Sequence, residues 1–234
     1  MPGYAIVHLS LKSTLAPPGD VTSEQMDAVA DLADRFSMGR IVVTHRQNLV
    51  LTDVAVRDLR EVHAALARLG FATPNVDRIT DMITCPGLDY CDLANARSIP
   101  IAEDITRRFD DLDWVFDVGP LTLNISGCIN ACGHHHVGNI GILGIDKQGE
   151  EFYQLMLGGS GGVGVGGTEA ALGRILGRAL SAGEVGPAIE RIVRTYVSLR
   201  TSEDETFIEA HRRLGAEPFK EAVYGAHSEK RAAE

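Results

Sequence analysis

Apolar and polar residues alternate along YAIVHLSL, residues 4–11, closely enough to predict a strand. Thr22 followed by Gln25 has the form of a capping box, which starts helices by exchanging side-chain and backbone hydrogen bonds. Met26, Val29, Ala30 and Ala33 then fall on one helical face. The β-branched run IVVTHRQNLVL predicts a second strand over 41–51. Leu59, Val62, Leu66 and Leu69 repeat at helical spacing within 55–69, before Gly70. The order β-α-β-α is that of an α+β half-unit of ferredoxin-like type.

FATPNVDRIT, residues 71–80, reads as a linker, and the domain boundary is placed near residue 78, giving a half domain over 1–78 and a larger one over 79–234. In the second region the pattern is mixed α/β. It predicts a helix after Cys91 that is interrupted near Pro100, and strands at 121–126, 139–145 and 151–157. A glycine-rich loop follows over 158–167, then helices over 168–182, 186–200 and about 203–214, and a disordered tail, HSEKRAAE.

Composition narrows the function classes. With 44% hydrophobic residues and a net charge of −10, the chain is an ordinary globular protein without the concentrated basic face that nucleic acid requires. The excess acid is uneven: residues 1–78 hold 8 Lys/Arg and 9 Asp/Glu, whereas 79–234 hold 14 and 23. An acidic surface of this kind is mostly solvated helix face, and it also suits docking of a positively charged partner. No stretch approaches the roughly 20 apolar residues of a membrane span, and the start has no basic segment before an apolar run, so a cytoplasmic location is expected.

Four cysteines in such a chain point to reduced thiols or metal ligands before disulfides. They occur as CPGLDYC, a C-x5-C pair at Cys85 and Cys91, and CINAC, a C-x3-C pair at Cys128 and Cys132, with 36 residues between the pairs. Two loops that each bring two thiolates suit an iron–sulfur cluster, and Gly87, Gly127 and Gly133 permit tight turns that aim amide N–H groups at sulfur. Structural zinc is the rival, but its commonest knuckle spacing is absent. Four unrelated core cysteines would be unusual amid so much Gly, Pro and Asn.

CPGLDYC, NISGCINACGHHHVGNIGILG and LMLGGS together resemble the C-terminal half of the sirohaem-dependent sulfite and nitrite reductases, whose signature is C-x5-C followed at a distance by C-x3-C. The resemblance extends to THRQNLVL and to ETFIEAHRRLGAEPFKEAVYG. It implies that Cys85, Cys91, Cys128 and Cys132 bind a [4Fe-4S] cluster, that Cys132 also bridges to the sirohaem iron, and that Asn130 lies on the loop facing the macrocycle. It further implies an assimilatory-type enzyme, with six-electron reduction of sulfite to sulfide in sulfur assimilation, or of nitrite to ammonia. The electron donor would be ferredoxin or an NADPH-linked flavoprotein.

Other residues carry weaker expectations. One or two of His134, His135 and His136 are expected to line the sirohaem pocket, with His134 the first candidate. Consecutive histidines cannot all face one metal. GGSGGVGVGG lacks the context of a P-loop or dinucleotide fingerprint, so Gly158 and Gly159 are read as a backbone cradle for sirohaem carboxylates, against a plain surface loop. Arg46 stands where the family has cofactor-contacting side chains at a strand end. Lys147 lies near the cysteine motifs as a charge-compensating cation, and both compete with ordinary surface roles.

The chain departs from the family in holding one of its two related halves. The principal Arg and Lys that receive the substrate anion come from the other half, and His8 stands where that half presents arginine. The chain is therefore read first as part of a longer enzyme, with a short single-unit reductase or a subunit completed by a partner chain as alternatives. From a different class, the competing function is a non-catalytic [4Fe-4S] electron-transfer or sensing module without sirohaem.

Overall fold

A computed structural model of the chain describes residues 2–13, 16–162 and 169–231, with side chains as far as residue 225. The chain divides into two compact units, Met1–Val76 and Asp77–Glu234.

The first unit carries β1 (Tyr4–Leu9), α1 (Ser23–Phe36), β2 (Ile41–Val43), β3 (Leu49–Ala55) and α2 (Leu59–Leu69). Its three strands form an antiparallel sheet in the order β1-β3-β2. Leu9, Leu51 and Val54 of the sheet pack with Val29, Leu32 and Ala33 of α1 and Val62 and Leu66 of α2. The capping box is present: the Gln25 N–H donates to Thr22 Oγ1 at 3.2 Å and the Thr22 N–H to Gln25 Oε1 at 2.9 Å. The buried face of α1 is rotated from the expected one, because Leu32 takes the inner position while Met26 and Ala30 stay exposed.

Residues 41–51 are a hairpin rather than one strand. Thr44 Oγ1 accepts from the N–H groups of Arg46 and Asn48, Gln47 takes a left-handed conformation (φ 58°), and the chain reverses over THRQN. Local side-chain acceptors thus displaced the ladder that the β-branched run implied. The helix expected from residue 55 starts as a 3-10 turn, Val56–Asp58, and ends at left-handed Gly70, as expected of a C-terminal glycine.

The second unit is built on a mixed sheet of β4 (Ile83–Thr84), β5 (Leu123–Ser126), β6 (Ile140–Lys147), β7 (Glu150–Leu157), β10 (Arg174–Ile175) and β11 (Leu180–Ser181). β4, β5 and β6 run parallel, and β7 returns antiparallel through a two-residue turn at Gln148 and Gly149, both with positive φ. β10 and β11 pair with successive parts of β7, and β8 (Ser160–Gly161) pairs with β9 (Ala170–Ala171). α3 (Ile99–Arg108) and α4 (Leu112–Val118) connect β4 to β5. α5 (Ala182–Leu199), α6 (Phe207–Leu214) and α7 (Glu217–Arg231) follow the sheet. Ile105, Val115, Ile125, Ile142, Leu155, Ile189, Ile192 and Tyr196 share one buried core.

Three expectations change here. The helix after Cys91 begins only at Ile99, with Pro100 in its first turn, where a missing N–H costs nothing. Instead of a helix over 168–182, residues 170–181 form short strands, whose amides reach the edge of β7 and the His136 carbonyl. The expected disordered tail is helical through Arg231. Residues 163–167 of the glycine-rich loop and the final residues 232–234 lie outside the described residues.

Candidate metal centre

Both cysteine pairs start at the carboxyl ends of adjacent parallel strands, where open α/β sheets bind ligands. Cys85 follows β4 directly, and its N–H continues the ladder to the Ile125 carbonyl at 3.1 Å; Cys128 comes two residues after β5. The first loop is wide. Gly87 and Leu88 pair back against Ala96 and Arg97, leaving residues 89–95, with Cys91, at the tip. The second loop is tight: the Ala131 N–H reaches the Cys128 carbonyl, the His134 N–H reaches the Ala131 carbonyl, and both residues have positive φ.

Glycine holds the loops together. A Cβ on Gly127 would lie 2.6 Å from the Ala96 carbonyl oxygen and 2.8 Å from Gly87 Cα, so the loops meet backbone to backbone. The amides of Asn95 and Ala96 donate to the Gly127 carbonyl, and the Gly127 N–H donates to Cys85 Sγ at 3.0 Å. On the far side, the Gly133 N–H donates to Ser126 Oγ, and a Cβ on Gly133 would overlap the Ile125 carbonyl.

The four thiols grade from interior to surface: Cys85 and Cys128 are buried, Cys91 is half-buried and Cys132 is exposed. Among the described residues, no group of three or more His, Cys, Asp or Glu is gathered closely enough for a single metal ion. A cluster with several irons shares its thiolates out one to an iron. The donor set fits such a cluster in its chemistry: four free thiols on two glycine-tethered loops, with an N–H already aimed at one buried sulfur.

The charges nearby are satisfied locally. Arg97 pairs with Glu151 at 3.2 Å and Asp89 at 3.5 Å, and its N–H also donates to Glu151. The Tyr153 hydroxyl lies 2.8 Å from the Arg97 carbonyl and 3.1 Å from a Glu151 oxygen. Burial, with the Glu151 charge beside it, raises its pKa above the ordinary tyrosine range. Lys147 sits over the Phe152 ring.

The expected cofactor contacts lie on several elements. Asn130 is exposed on the Cys128–Cys132 loop. His134 is exposed beside Cys132, with its carbonyl accepting from Asn124, whereas His135 is the buried histidine. Burial, and secondly the His136 charge, lowers the His135 pKa, and its Nδ1 has no hydrogen-bond partner among the described residues. Gly158 and Gly159 join Asn139 at the start of β6, while Lys147 is at its end, so seven residues, roughly 23 Å of strand, separate them. Arg46 belongs to the first unit, in the hairpin turn, where its carbonyl accepts from Lys12 Nζ.

Sequence reasoning missed Ser98 and Tyr153. Both are buried, and neither carries a spacing signal that would have singled it out.

Comparison with known proteins gives the site its context. The family model described as "Nitrite and sulphite reductase 4Fe-4S domain" matches residues 75–231, and "Nitrite/Sulfite reductase ferredoxin-like half domain" matches 13–69. Sulfite reductase (ferredoxin) 2 of Mycolicibacterium paratuberculosis is 34% identical over 199 residues, covering 81% of this chain and 35% of the relative. The assimilatory ferredoxin-dependent nitrite reductase of Haloferax mediterranei is 29% identical, over 79% of this chain and 31% of its own length. The solved structure of the Mycobacterium tuberculosis NirA protein superposes with a TM-score of 0.75 at 30% identity, covering 93% of this chain and 39% of that one. The chain thus spans about a third of the length of the curated relatives it matches.

Proposed function

The chain belongs to the nitrite and sulfite reductase 4Fe-4S family, and on that premise we propose that it is the cofactor-binding half of a sulfite or nitrite reductase. The cofactors of this family are a [4Fe-4S] cluster and sirohaem. When bound, they would supply a redox-active iron and a route by which electrons from an external donor reach it, for six-electron reduction of sulfite to sulfide or nitrite to ammonia.

The observation that carries the reading is the pairing of the thiol loops beyond β4 and β5, with the Gly127 N–H donated to Cys85 Sγ. In this proposal Cys85, Cys91, Cys128 and Cys132 would hold the cluster, with exposed Cys132 the thiolate proposed to be shared with sirohaem. Asn130 and His134, on the same turn of chain, would contact the macrocycle. Gly158 and Gly159 are proposed as a backbone cradle separate from Lys147, because β6 holds the two apart. Buried Cys85 and Cys128 anchor the cluster away from water, and N–H groups offset the thiolate charge. The donor proposed is reduced ferredoxin, with an NADPH-linked flavoprotein as the other choice.

The same proposal makes the rest of a longer protein, or a partner chain, the source of the main anion-binding cations. Substrate and cofactor carboxylates repel by several kcal/mol at about 4 Å in a medium of intermediate dielectric, so turnover needs several fixed cations. The test is an anaerobic assay with a reduced viologen, on chain reconstituted with cluster and sirohaem, with and without the remaining half of a relative. Turnover is expected only with the other half. Full turnover by this chain alone would contradict it, and a reconstituted protein without the Soret and red bands of sirohaem would favour the electron-transfer or sensing module.

A further inference from the structure

Ser98 occupies the position before the first residue of α3, where serine ordinarily caps a helix by accepting one of its free N–H groups. It makes no such bond. Thr22, Asp111 and Thr206 all cap their helices with the side chain, from extended backbone. Ser98 instead has φ −105° and ψ −36°, is completely buried, and places its Oγ 3.5 Å from Cys85 Sγ. The Gly127 N–H reaches the same sulfur from the other loop at 3.0 Å.

We propose that Ser98 is a positioning residue for the cluster: with the Gly127 N–H, its hydroxyl makes Cys85 a doubly hydrogen-bonded thiolate and raises the cluster's reduction potential. This rests on the reading of Cys85 as a cluster ligand. A thiolate has no proton, so the hydroxyl is the donor, and a donor to ligand sulfur stabilises the reduced, more negative cluster over the oxidised one. The site is buried, which strengthens the effect by keeping water from competing. Both donors are rigidly placed. Gly87 has no room for a Cβ against Ser98, whose N would lie 2.5 Å away. A chain of bonds runs from Tyr153 to the Arg97 carbonyl, and from the adjoining Asn95 and Ala96 amides to the Gly127 carbonyl.

The experiment is a dithionite titration, followed by electron paramagnetic resonance, of the anaerobically reconstituted 234-residue chain and its Ser98→Ala variant, with thermal unfolding of both. The expected result is a midpoint potential shifted to more negative values in Ser98→Ala, at an almost unchanged melting temperature, because no helix cap is lost. A melting temperature that falls while the potential stays at the wild-type value would overturn the proposal and leave Ser98 as a packing residue. Should the variant not fold, Ser98→Cys, which keeps the size but donates more weakly, decides: a midpoint potential more negative than the wild type supports the proposal, and an unchanged one overturns it. Wild-type chain that takes up no labile sulfide would sink the cluster reading and this inference with it. A wild type with a cluster and an unmoved Ser98→Ala potential sinks only the inference.

Discussion

Cys132 is the exposed thiol of the four, and Ala131 before it has a φ of 57°, a left-handed conformation that costs a non-glycine residue about 1–2 kcal/mol. Strain of this kind is kept where the surrounding loop over-determines it, here through the bonds from Ala131 to Cys128 and from His134 to Ala131. Cys132→Ser is therefore expected to lower iron and labile sulfide in the reconstituted chain, and to bring activity of the complete enzyme to background. Arg107→Ala, which removes only a solvent-facing ion pair with Glu103, should leave both unchanged. Normal iron content and turnover in Cys132→Ser would contradict the role proposed for Cys132. At this scale the cysteines were readable because spacing among glycines is a one-dimensional signal. Ser98 was not, because its meaning lies in which of two neighbours its hydroxyl chooses, and that depends on a strand pairing made across the sheet.

Among the elements, the meeting of the two cysteine loops makes the sharpest demand on sequence. Gly127→Ala would push a Cβ against the Ala96 carbonyl and Gly87, and a backbone shift of this sort costs about 1–3 kcal/mol. The expected outcome is lower stability together with loss of cluster uptake, measured by unfolding and iron content. Gly183→Ala, in the open first turn of α5, should be neutral or stabilising by about 0.5–1 kcal/mol with normal iron. The same helix start carries a pH dependence. Arg178 first, and then the Ser181 N–H and hydroxyl, hold the Glu184 carboxyl at about 2, below its usual 4.5. The folded state then binds fewer protons than the unfolded one between these values, so this stabilisation is full above about pH 4.5 and lost toward pH 2. In urea unfolding of the cluster-free chain, wild type should lose its advantage over Glu184→Gln as pH falls from about 5 to 3; a constant difference would contradict the assignment. Periodicity revealed α2, β7 and the Thr22 capping box, where local pattern and tertiary burial agree. It failed over THRQN, where Thr44 captures two amides, and over 170–181, where an apolar stretch of helical appearance supplies edge strands to β7.

Exposed apolar residues cluster at the sheet edges of the first unit and on the cysteine loops of the second. In the first unit, Ile41, Val42 and Val43 of edge strand β2 and Tyr4 and Ile6 of edge strand β1 are open, Val43 at 75% and Ile6 at 64%. In the second unit, Leu88, Tyr90, Leu93 and Ile129 are exposed on the cysteine loops themselves. Exposed sheet edges and apolar patches favour association, and the chain spans only 35% of the sulfite reductase it resembles. Light scattering is expected to show concentration-dependent self-association, reduced in the double variant Ile6→Lys, Val43→Lys; a stable monomer at high concentration would count against missing partner surface. Among the described residues no helix is long and apolar enough to cross a membrane. The α+β class and the existence of a cofactor-bearing second part were visible in the chain, since each depends on local pattern. How the cysteine loops meet was not, because it depends on parallel pairing between β4 and β5, with two helices of sequence between them. The account rests on four thiolates sharing one cluster. Its most direct test is iron and acid-labile sulfide determination, with metal analysis, on the 234-residue chain reconstituted anaerobically and freed of loose iron. The expected result is about four irons and four sulfides per chain. One tightly bound zinc with no labile sulfide would contradict it.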